Sequence, residues 1–259
     1  MEYIAGLDVG SAFSKAVIVD SDWSLLAFDV RPTSGNFVLA ADLVMREALH
    51  KAGLSKEDLS NIGACGLGVP FLSPAFKKIN DLSCHSRGTH YLLQSARTLI
   101  EVGNQSARVM KMTPKGKVAD SVVSDKCAAG SGRILHIIAK VLNVNVEELG
   151  ELSAKSVRPA KFTTNCAVFL ETEAISRVAE GTPKEDIIAG LHKSIAAKIA
   201  AMVLRLRVEP DCVMTGGIAL NGGLVAMMEK EIGQSIRVPE QPLLTGAIGA
   251  ALIAAEKVN

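Results

Sequence analysis

The sequence predicts an α/β protein whose strand pattern restarts part-way along the chain. Strand patterns alternate with helix patterns through most of the 259 residues. A short motif of acid, Val, Gly, small polar residues and base occurs twice at an offset of 93, as "DVGSAFSK" from Asp8 to Lys15 and "EVGNQSAR" from Glu101 to Arg108. The repeat predicts that the same strand and turn are built twice.

The elements follow in order. Strands are predicted in "YIAGLDVG", twice in "SKAVIVDSDWSLLAFDVR" and in "LSNIGACGLG", and the helix "NFVLAADLVMREALHKAG" is expected to end at Gly53. From Ser95 onward, "ARTLIEVGNQSARVMKMTPKGKVADSVVSD" predicts three strands joined by turns. Helices are then predicted in "GRILHIIAKVL", "FLETEAISRVAEG" and "KEDIIAGLHKSIAAKIAAMVLRLRV". A strand–helix pair, "CVMTGGIALNGGLVAMMEKEIG", and the helix "LLTGAIGAALIAAEK" complete the chain, and the glycines of this last helix predict close helix packing.

Composition excludes several classes of protein. A net charge of +1 with interspersed acids and bases gives no basic surface for nucleic acid. No uninterrupted apolar run reaches the about 18 residues that span a bilayer, and the acidic N-terminus does not resemble a secretory signal. We therefore expect a cytoplasmic protein. Five cysteines, an odd number without a CxxC pair, argue against a disulfide framework.

Gly-rich turns are the candidate ligand sites. Each copy of the repeat places an acid at a strand end, then a Gly that tolerates positive φ and exposed backbone N–H groups, an arrangement that can grip a polyphosphate. Two unrelated β-hairpin turns are the alternative. A third stretch, "MTGGIALNGG" from Met214 to Gly223, follows a strand and opens a helix, where glycines allow an adenosine or phosphate to approach the backbone. A simple packing role is the alternative there.

These elements, in this order, resemble the acetate kinase, sugar kinase, Hsp70 and actin superfamily, with its ribonuclease H-like lobes around a nucleotide cleft. Around the cysteines, "DLSCHSRG", "SDKCAAGSGR", "TTNCAVFLETE" and "VMTGGIALN" resemble the BadF/BadG/BcrA/BcrD-type ATPases. That family includes the ATP-dependent activators of 2-hydroxyacyl-CoA dehydratases and relatives in benzoyl-CoA reductases. The resemblance covers essentially the whole chain. It implies a first lobe of residues 1–95, completed by a C-terminal helix at 243–259, and a second lobe of residues 96–242.

The resemblance also implies a function. Such proteins are homodimers with one [4Fe–4S] cluster between protomers, and they use Mg²⁺ and ATP hydrolysis to inject low-potential electrons into a partner iron–sulfur dehydratase or reductase. An upstream donor such as ferredoxin or flavodoxin is expected. Carried over by position, the cluster ligands are Cys127 and Cys166.

The residues around both cysteines fit this expectation. Cys127 and Cys166 each precede a predicted helix, where free N–H groups and the positive end of the dipole lower a thiol pKa and stabilise an anionic cluster. A cluster needs four thiolates, so two per chain predict a two-fold dimer. The alternative is a pair of buried apolar cysteines. Small residues that leave space for an inorganic cofactor are Ala128, Ala129, Gly130 and Ala167.

Nucleotide residues are likewise implied by the resemblance. The first phosphate loop would comprise Asp8, Gly10, Ser11, Ala12, Ser14 and Lys15. Within it, Asp8 would hold Mg²⁺ through water, and Lys15 would face a phosphate unless it is an ordinary exposed lysine. Gln105 would orient the attacking water, and Gly216 and Gly217 would face the adenosine. The second loop departs from the family pattern Gly-Gly-Gln-Asp, since it reads Gly103, Asn104, Gln105 and Ser106.

Two other function classes remain open from sequence. A small-molecule kinase would explain the phosphate loops, but 259 residues leave little room for an acceptor domain. A nucleotide-dependent switch would explain ATP binding alone, and neither class explains two cysteines before helices. Cys65 and Cys212 are predicted to be structural. Cys84 beside His85 is either structural, a reactive or metal-binding pair, or part of a surface toward another lobe or partner.

Overall fold

The computed structural model describes residues 2–124, 130–164, 166–207 and 209–256. They form two compact units. The first unit is drawn from Met1–Ala96, Met112–Val118 and Leu243–Asn259, and the second from Arg97–Lys111 and Ala119–Pro242.

The first unit is built on a five-stranded sheet. Its strands are β1 (Tyr3–Val9), β2 (Phe13–Val19), β3 (Leu25–Pro32), β4 (Leu59–Cys65) and β5 (Lys77–Lys78), in the order β3-β2-β1-β4-β5. Strands β1, β2 and β3 pair antiparallel, whereas β4 pairs parallel to both β1 and β5. Helix α1 (Phe37–Ala52) buries Val44 and Leu49 in the core of this unit. It ends at Gly53, as predicted, because that residue adopts the left-handed conformation.

Two helices pack against each other in the first unit through glycines. They are α2 (Asp81–Leu92) and α8 (Thr245–Ala255). A Cβ at Gly249 of α8 would lie 1.8 Å from the carbonyl oxygen of Cys84, and one at Gly88 of α2 would lie 1.9 Å from that of Thr245. The predicted packing role of the glycines in α8 is therefore confirmed. Helix α2 was not predicted, since its Ser, His, Thr and Gly residues give no clear apolar period.

The second unit repeats the sheet and adds more helices. Its strands are β6 (Thr98–Val102), β7 (Ala107–Met112), β8 (Val118–Ser124), β9 (Cys212–Thr215) and β10 (Ile236–Arg237), in the order β10-β9-β6-β7-β8, although Met112 and Val118 group with the first unit. The helices are α3 (Arg133–Val141), α4 (Leu149–Ala154), α5 (Ala167–Ala179), α6 (Lys184–Arg205) and α7 (Gly222–Ile232). Short 3-10 turns are Lys56–Asp58 and Val69–Phe71 in the first unit and Val146–Glu148 and Gly217–Leu220 in the second.

Helix α6 forms the centre of the second unit. By length and composition it is the one helix in the described residues that is apolar enough to cross a membrane, but 61% of that apolar window is buried inside the structure. Its buried side chains include Ile188, Leu191, Ile195 and Ile199, which join the core of this unit. It therefore has the burial of a core helix.

The two sheets match each other at the level of register. In the first, β1 and β2 place Asp8 opposite Lys15, and Gly10 N donates to Phe13 O at 3.1 Å. In the second, β6 and β7 place Glu101 opposite Arg108, and Gly103 N donates to Ser106 O at 3.0 Å. All of these positions are related by the offset of 93. The α/β class is confirmed, and the two turns are copies of one structure.

Candidate functional site

The hairpin predicted to be the first phosphate loop is organised around a largely buried ion pair. Lys15 Nζ lies 2.8 Å from Asp8 Oδ2, and the two side chains are 13% and 7% exposed. A Cβ at Gly10 would lie 3.4 Å from the same ammonium, so the lysine extends along the turn. Ser11 and Ala12 form that turn and are partly exposed. The loop thus offers a carboxylate, an ammonium and backbone N–H groups within one short hairpin.

Ser14 and Thr33 support the turn from inside. The Ser14 hydroxyl is fully buried and lies 3.0 Å from Thr33 Oγ1, which in turn donates to Gly10 O at 2.8 Å. Thr33 N also donates to Ala12 O at 2.8 Å. The side chain of Ser14 is therefore bonded within the protein, where it stabilises the hairpin that presents Ser11 and Ala12.

The Asp8 carboxylate occupies a niche between two glycines that sequence reasoning missed. Gly66 has φ +99°, and a Cβ there would lie 2.8 Å from Asp8 Oδ1. A Cβ at Gly246 would lie 2.9 Å from Asp8 Oδ2. Gly66 N is held by Asp81 Oδ1 at 2.7 Å. The glycine that follows the strand in "ACGLG" could have revealed Gly66, since "MTGGIAL" places Gly216 directly after the equivalent strand of the second unit.

The second unit repeats this niche. Glu101 Oε2 accepts from Arg108 Nη1 at 2.6 Å, and the carboxylate is 4% exposed. Gly216 has φ +83°, and a Cβ there would lie 2.4 Å from Val102 O and 3.0 Å from Glu101 Oε1. Gly217, next to it, is exposed with open space around its Cβ position. Gln105 is exposed in the adjoining turn.

The segment that leads into α3 is bonded to the second phosphate loop. Gly132 N donates to Gly103 O at 2.8 Å, and Arg133 N donates to Asn104 O at 3.2 Å. Two N–H groups at the start of α3, which have no partner within the helix, are thus hydrogen-bonded to carbonyl groups of the loop. Gly130 is buried beneath the aliphatic part of Lys198, which a Cβ would meet at 3.4 Å. The predicted site residues Cys127 and Ala129, just before this segment, lie outside the described residues.

Cys166 occupies the N-cap position of α5 and is exposed. Its backbone is extended, its N–H donates to Thr164 Oγ1 at 3.1 Å, and its carbonyl accepts from Leu170 N at 2.8 Å. The predicted placement before a helix is confirmed. In the described part of the chain, no group of three or more His, Cys, Asp or Glu residues is arranged to hold a metal ion.

The other described thiols are buried. The Cys65 Sγ contacts Gly246 O at 3.4 Å, and a hydrogen bond with Cys84, together with burial, raises its pKa well above the ordinary value. Burial raises the pKa of Cys212 as well. His85 Nδ1 lies 3.0 Å from Thr245 Oγ1. These contacts give Cys65, Cys84 and Cys212 a structural role, and the His85 ring nitrogen is engaged by a hydroxyl.

Asn221 closes the segment that was predicted to face the adenosine; Gly216–Asn221 is named the adenosine loop below after that prediction. Its Oδ1 accepts from Leu224 N at 3.0 Å and so caps α7, while its Nδ2 lies 3.2 Å from His192 Nε2 of α6. His192 is fully buried, and this desolvation lowers its pKa from 6.5 to about 4. Neither residue was singled out from sequence.

Comparison with known proteins identifies the family. The model of the BadF/BadG/BcrA/BcrD ATPase family matches residues 5–254. The chain belongs to this family. A 2-hydroxyisocaproyl-CoA dehydratase activator from Clostridioides difficile is 40% identical over 257 residues, which cover 99% of this chain and 96% of that protein. The family membership makes this protein an ATPase.

Solved structures agree with the fold. An activator of the 2-hydroxyisocaproyl-CoA dehydratase from Clostridium difficile, with bound ADPNP, superposes with a TM-score of 0.93 at 38% identity and covers 99% of each chain. A ROK family glucokinase from Streptomyces griseus superposes with a TM-score of 0.61 at 14% identity, covering 97% of this chain and 99% of that one. The predicted sugar kinase-like fold is therefore confirmed.

Adjacent glycines allow a matched test of the adenosine loop. Gly216→Ala should lower the free energy of unfolding by about 2 kcal/mol or more, because it combines a positive φ with a collision against Val102 O. Gly217→Ala meets open space and should leave stability within about 0.5 kcal/mol of the parent. Chemical denaturation measures both, and equal destabilisation of the two variants would contradict the described geometry.

His192 should make stability depend on pH. Its pKa of about 4 in the folded protein is below the 6.5 of the exposed side chain, so the unfolded state binds more protons between these values. The stability that depends on a neutral His192 is fully present above pH 6.5 and is lost as the pH falls to 4. This loss lowers the free energy of unfolding by about 3 kcal/mol. Unfolding titrations at pH 7, 5.5 and 4.5 measure it. His192→Gln is the control, and a parent loss no larger than that of this variant would refute the prediction.

Proposed function

We propose that this ATPase is an ATP-dependent activator of a 2-hydroxyacyl-CoA dehydratase or related iron–sulfur reductase. In this proposal it is a cytoplasmic homodimer that shares one [4Fe–4S] cluster, receives electrons from a ferredoxin- or flavodoxin-type donor, and uses Mg-ATP hydrolysis to deliver them at low potential. The observation that carries the proposal is the contrast between Cys166, exposed at a helix start, and the buried Cys65, Cys84 and Cys212.

The environment of Cys166 suits a cluster ligand. An exposed thiol at the N-cap of α5 lies beside backbone N–H groups that lack partners within the helix and beside the positive end of the helix dipole. Both favour a negatively charged inorganic group. Cys127 is assigned as the second ligand from the family resemblance. When bound, the cluster supplies one-electron transfer.

The surface next to Cys166 suits a second copy of the chain. On α5, Val168, Phe169, Ile175 and Val178 are 68%, 63%, 52% and 45% exposed. Large apolar side chains clustered on one helix are typical of a surface that another protein covers. A two-fold axis beside Cys166 would bury them and bring four cysteine thiolates together, which is the count that a cluster requires.

Nucleotide chemistry is assigned to the two loops. In the first, Asp8 would hold Mg²⁺ through water, and Ser11, Ala12 and Lys15 would face phosphate oxygens. In the second, Gln105 is exposed and can orient the attacking water. The adenosine is assigned to Gly216 and Gly217. These roles follow the family resemblance, and the described geometry leaves the backbone at Gly217 open for a ligand.

The contact between the second loop and α3 supports coupling of ATP to the cysteines. Gly103 O and Asn104 O accept the N–H groups of Gly132 and Arg133. A shift of the loop on binding or losing the γ-phosphate would therefore move the start of α3 and the segment that contains Cys127. To change a two-state population from 1:99 to 99:1, the nucleotide must favour one state by about 5.5 kcal/mol.

Cysteine substitutions test the ligand assignment. Cys127→Ser and Cys166→Ser should each abolish the cluster, because either change removes two of four ligands in a two-fold dimer, while ATP binding should largely survive. Iron and sulfide per dimer, measured after anaerobic purification, give the answer.

The matched control for these variants is Cys212→Ser. This thiol is buried 3.4 Å from Gln234 Oε1, and a serine keeps the donor. It should retain full iron, whereas full iron in either of the first two variants would overturn the assignment. Light scattering before and after the cluster is removed by a chelator tests the dimer on the same samples. A monomer that keeps an intact cluster would contradict a cluster shared between two copies.

Ser106 predicts slow hydrolysis by the protein alone. The family pattern has an acid here, and a neutral hydroxyl polarises water or holds Mg²⁺ less well than a carboxylate. Ser106→Asp should raise hydrolysis without a partner about tenfold, with little change in nucleotide affinity. Phosphate release and calorimetric titration measure the two quantities, with Ser106→Asn as the neutral control. Brisk hydrolysis by the parent, with no increase in the Asp variant, would show that another group has this role.

A further inference from the structure

A buried hydrogen bond joins α6 to the adenosine loop. The Asn221 amide has a fixed orientation, because its Oδ1 accepts from Leu224 N at 3.0 Å. Its Nδ2 is thus the donor toward His192 Nε2 at 3.2 Å, and the proton of the neutral imidazole is assigned to Nδ1. The side chain of His192 and that of Asn221 therefore hold each other in one arrangement.

His192 is an unusual residue for its position. Within the described residues, its Nδ1 is buried and has no hydrogen-bond partner. Its buried neighbours on α6 are apolar, among them Ile188, Leu191 and Ile195. An unsatisfied buried donor is costly, and an apolar side chain would avoid that cost. In the described part of the chain, the hydrogen bond to Asn221 is the interaction that calls for a polar side chain at this position.

Asn221 joins the adenosine loop to α7. Its N–H donates to Ile218 O at 2.9 Å, and its side chain starts α7. The loop on one side of it and the helix on the other both depend on its position. A ligand that orders the backbone of Gly216 and Gly217 would therefore also fix Asn221, and through it His192.

Helix α6 also holds the segment that leads to Cys166. The Asp186 carboxylate accepts from Ser156 Oγ at 2.6 Å and from the N–H groups of Val157 and Arg158 at 3.1 and 2.9 Å. Its carbonyl accepts from Ala160 N at 2.8 Å. Ala160 also packs against Gly190, where a Cβ would lie 2.0 Å from its carbonyl oxygen. Residues 156–160 are thus fastened to the first turns of α6.

The same helix touches the segment after Cys127. Lys198, on the C-terminal half of α6, covers Gly130 with its aliphatic chain. One rigid helix therefore contacts the adenosine loop, the approach to Cys166 and the approach to Cys127. All of these contacts lie within the second unit.

We propose that His192 is a positioning residue that ties α6 to the adenosine loop, so that a nucleotide bound at this loop repositions residues 156–160 and Gly130 through α6. Nucleotide binding at this loop and the link from these segments to a cluster both rest on the proposed function, whereas the contacts that join the loop to the segments do not. If α6 moves as one body, a displacement at His192 also moves the contacts at Asp186 and Lys198.

Hydrogen–deuterium exchange of the protein, with and without ADP, tests the link. In the parent, ADP should change protection at the adenosine loop and also at 156–160 and 130–141. In His192→Leu, the loop should still respond, but the change at 156–160 should fall at least fivefold. His192→Gln, which keeps an acceptor for Asn221, should behave as the parent. An undiminished change in the Leu variant, or no change at 156–160 in the parent, would overturn the proposal.

A second variant covers the case in which His192→Leu fails to fold. Asn221→Ser keeps an N-cap for α7 but cannot reach His192, so it should lose the distant response in the same way. Iron content is measured in parallel. A parent without iron, but with the distant response, would refute the proposed function and leave this inference standing. If the parent contains iron, but His192→Leu and Asn221→Ser both keep the full distant response, this inference is refuted and the proposed function stands.

Discussion

A buried acid–base pair next to a glycine is the constraint on which both units depend. Asp8 with Lys15, and Glu101 with Arg108, place largely buried charges on the central strand of each sheet and on the strand next to it. A buried charge is tolerated only when it is paired, and each carboxylate is close to a glycine at the end of the neighbouring parallel strand. Any side chain at that glycine would collide with a strand carbonyl or with the acid itself.

This constraint explains why so little of the sequence repeats while the structure does. The acid, the base and the glycine fix the hairpin, the neighbouring strand and the register between them. The remaining residues of each sheet need only be apolar and of suitable volume, because packing tolerates exchange among such side chains. Internal similarity is therefore limited to short stretches around the two turns, although both sheets have five strands in the same order.

The second unit differs from the first because two of its helices are hydrogen-bonded to loops of its sheet. The start of α3 is bonded to the turn between β6 and β7, and α6 meets the adenosine loop through His192. In the first unit, α2 and α8 instead cross each other, and glycines at the crossing allow their backbones to touch.

The environments of the thiols also differ. A hydrogen bond with Cys84 and burial raise the pKa of Cys65, and burial raises that of Cys212, whereas Cys166 is exposed at a helix start.

The sequence by itself determined the elements whose pattern is local. Strands β1 to β4, helix α1 with its end at Gly53, and the placement of Cys166 before a helix follow from periodicity and capping residues. The turns around Asp8 and Glu101 could be found because their motif occurs twice. Tertiary structure alone decided the contacts between distant segments. Cys65 meets Gly246 across 181 positions, and His192 meets Asn221 across 29. Helix α2 is stabilised by its crossing with α8 rather than by its own apolar period. No local pattern encodes such pairs, because each depends on where the sheet brings two segments of chain together.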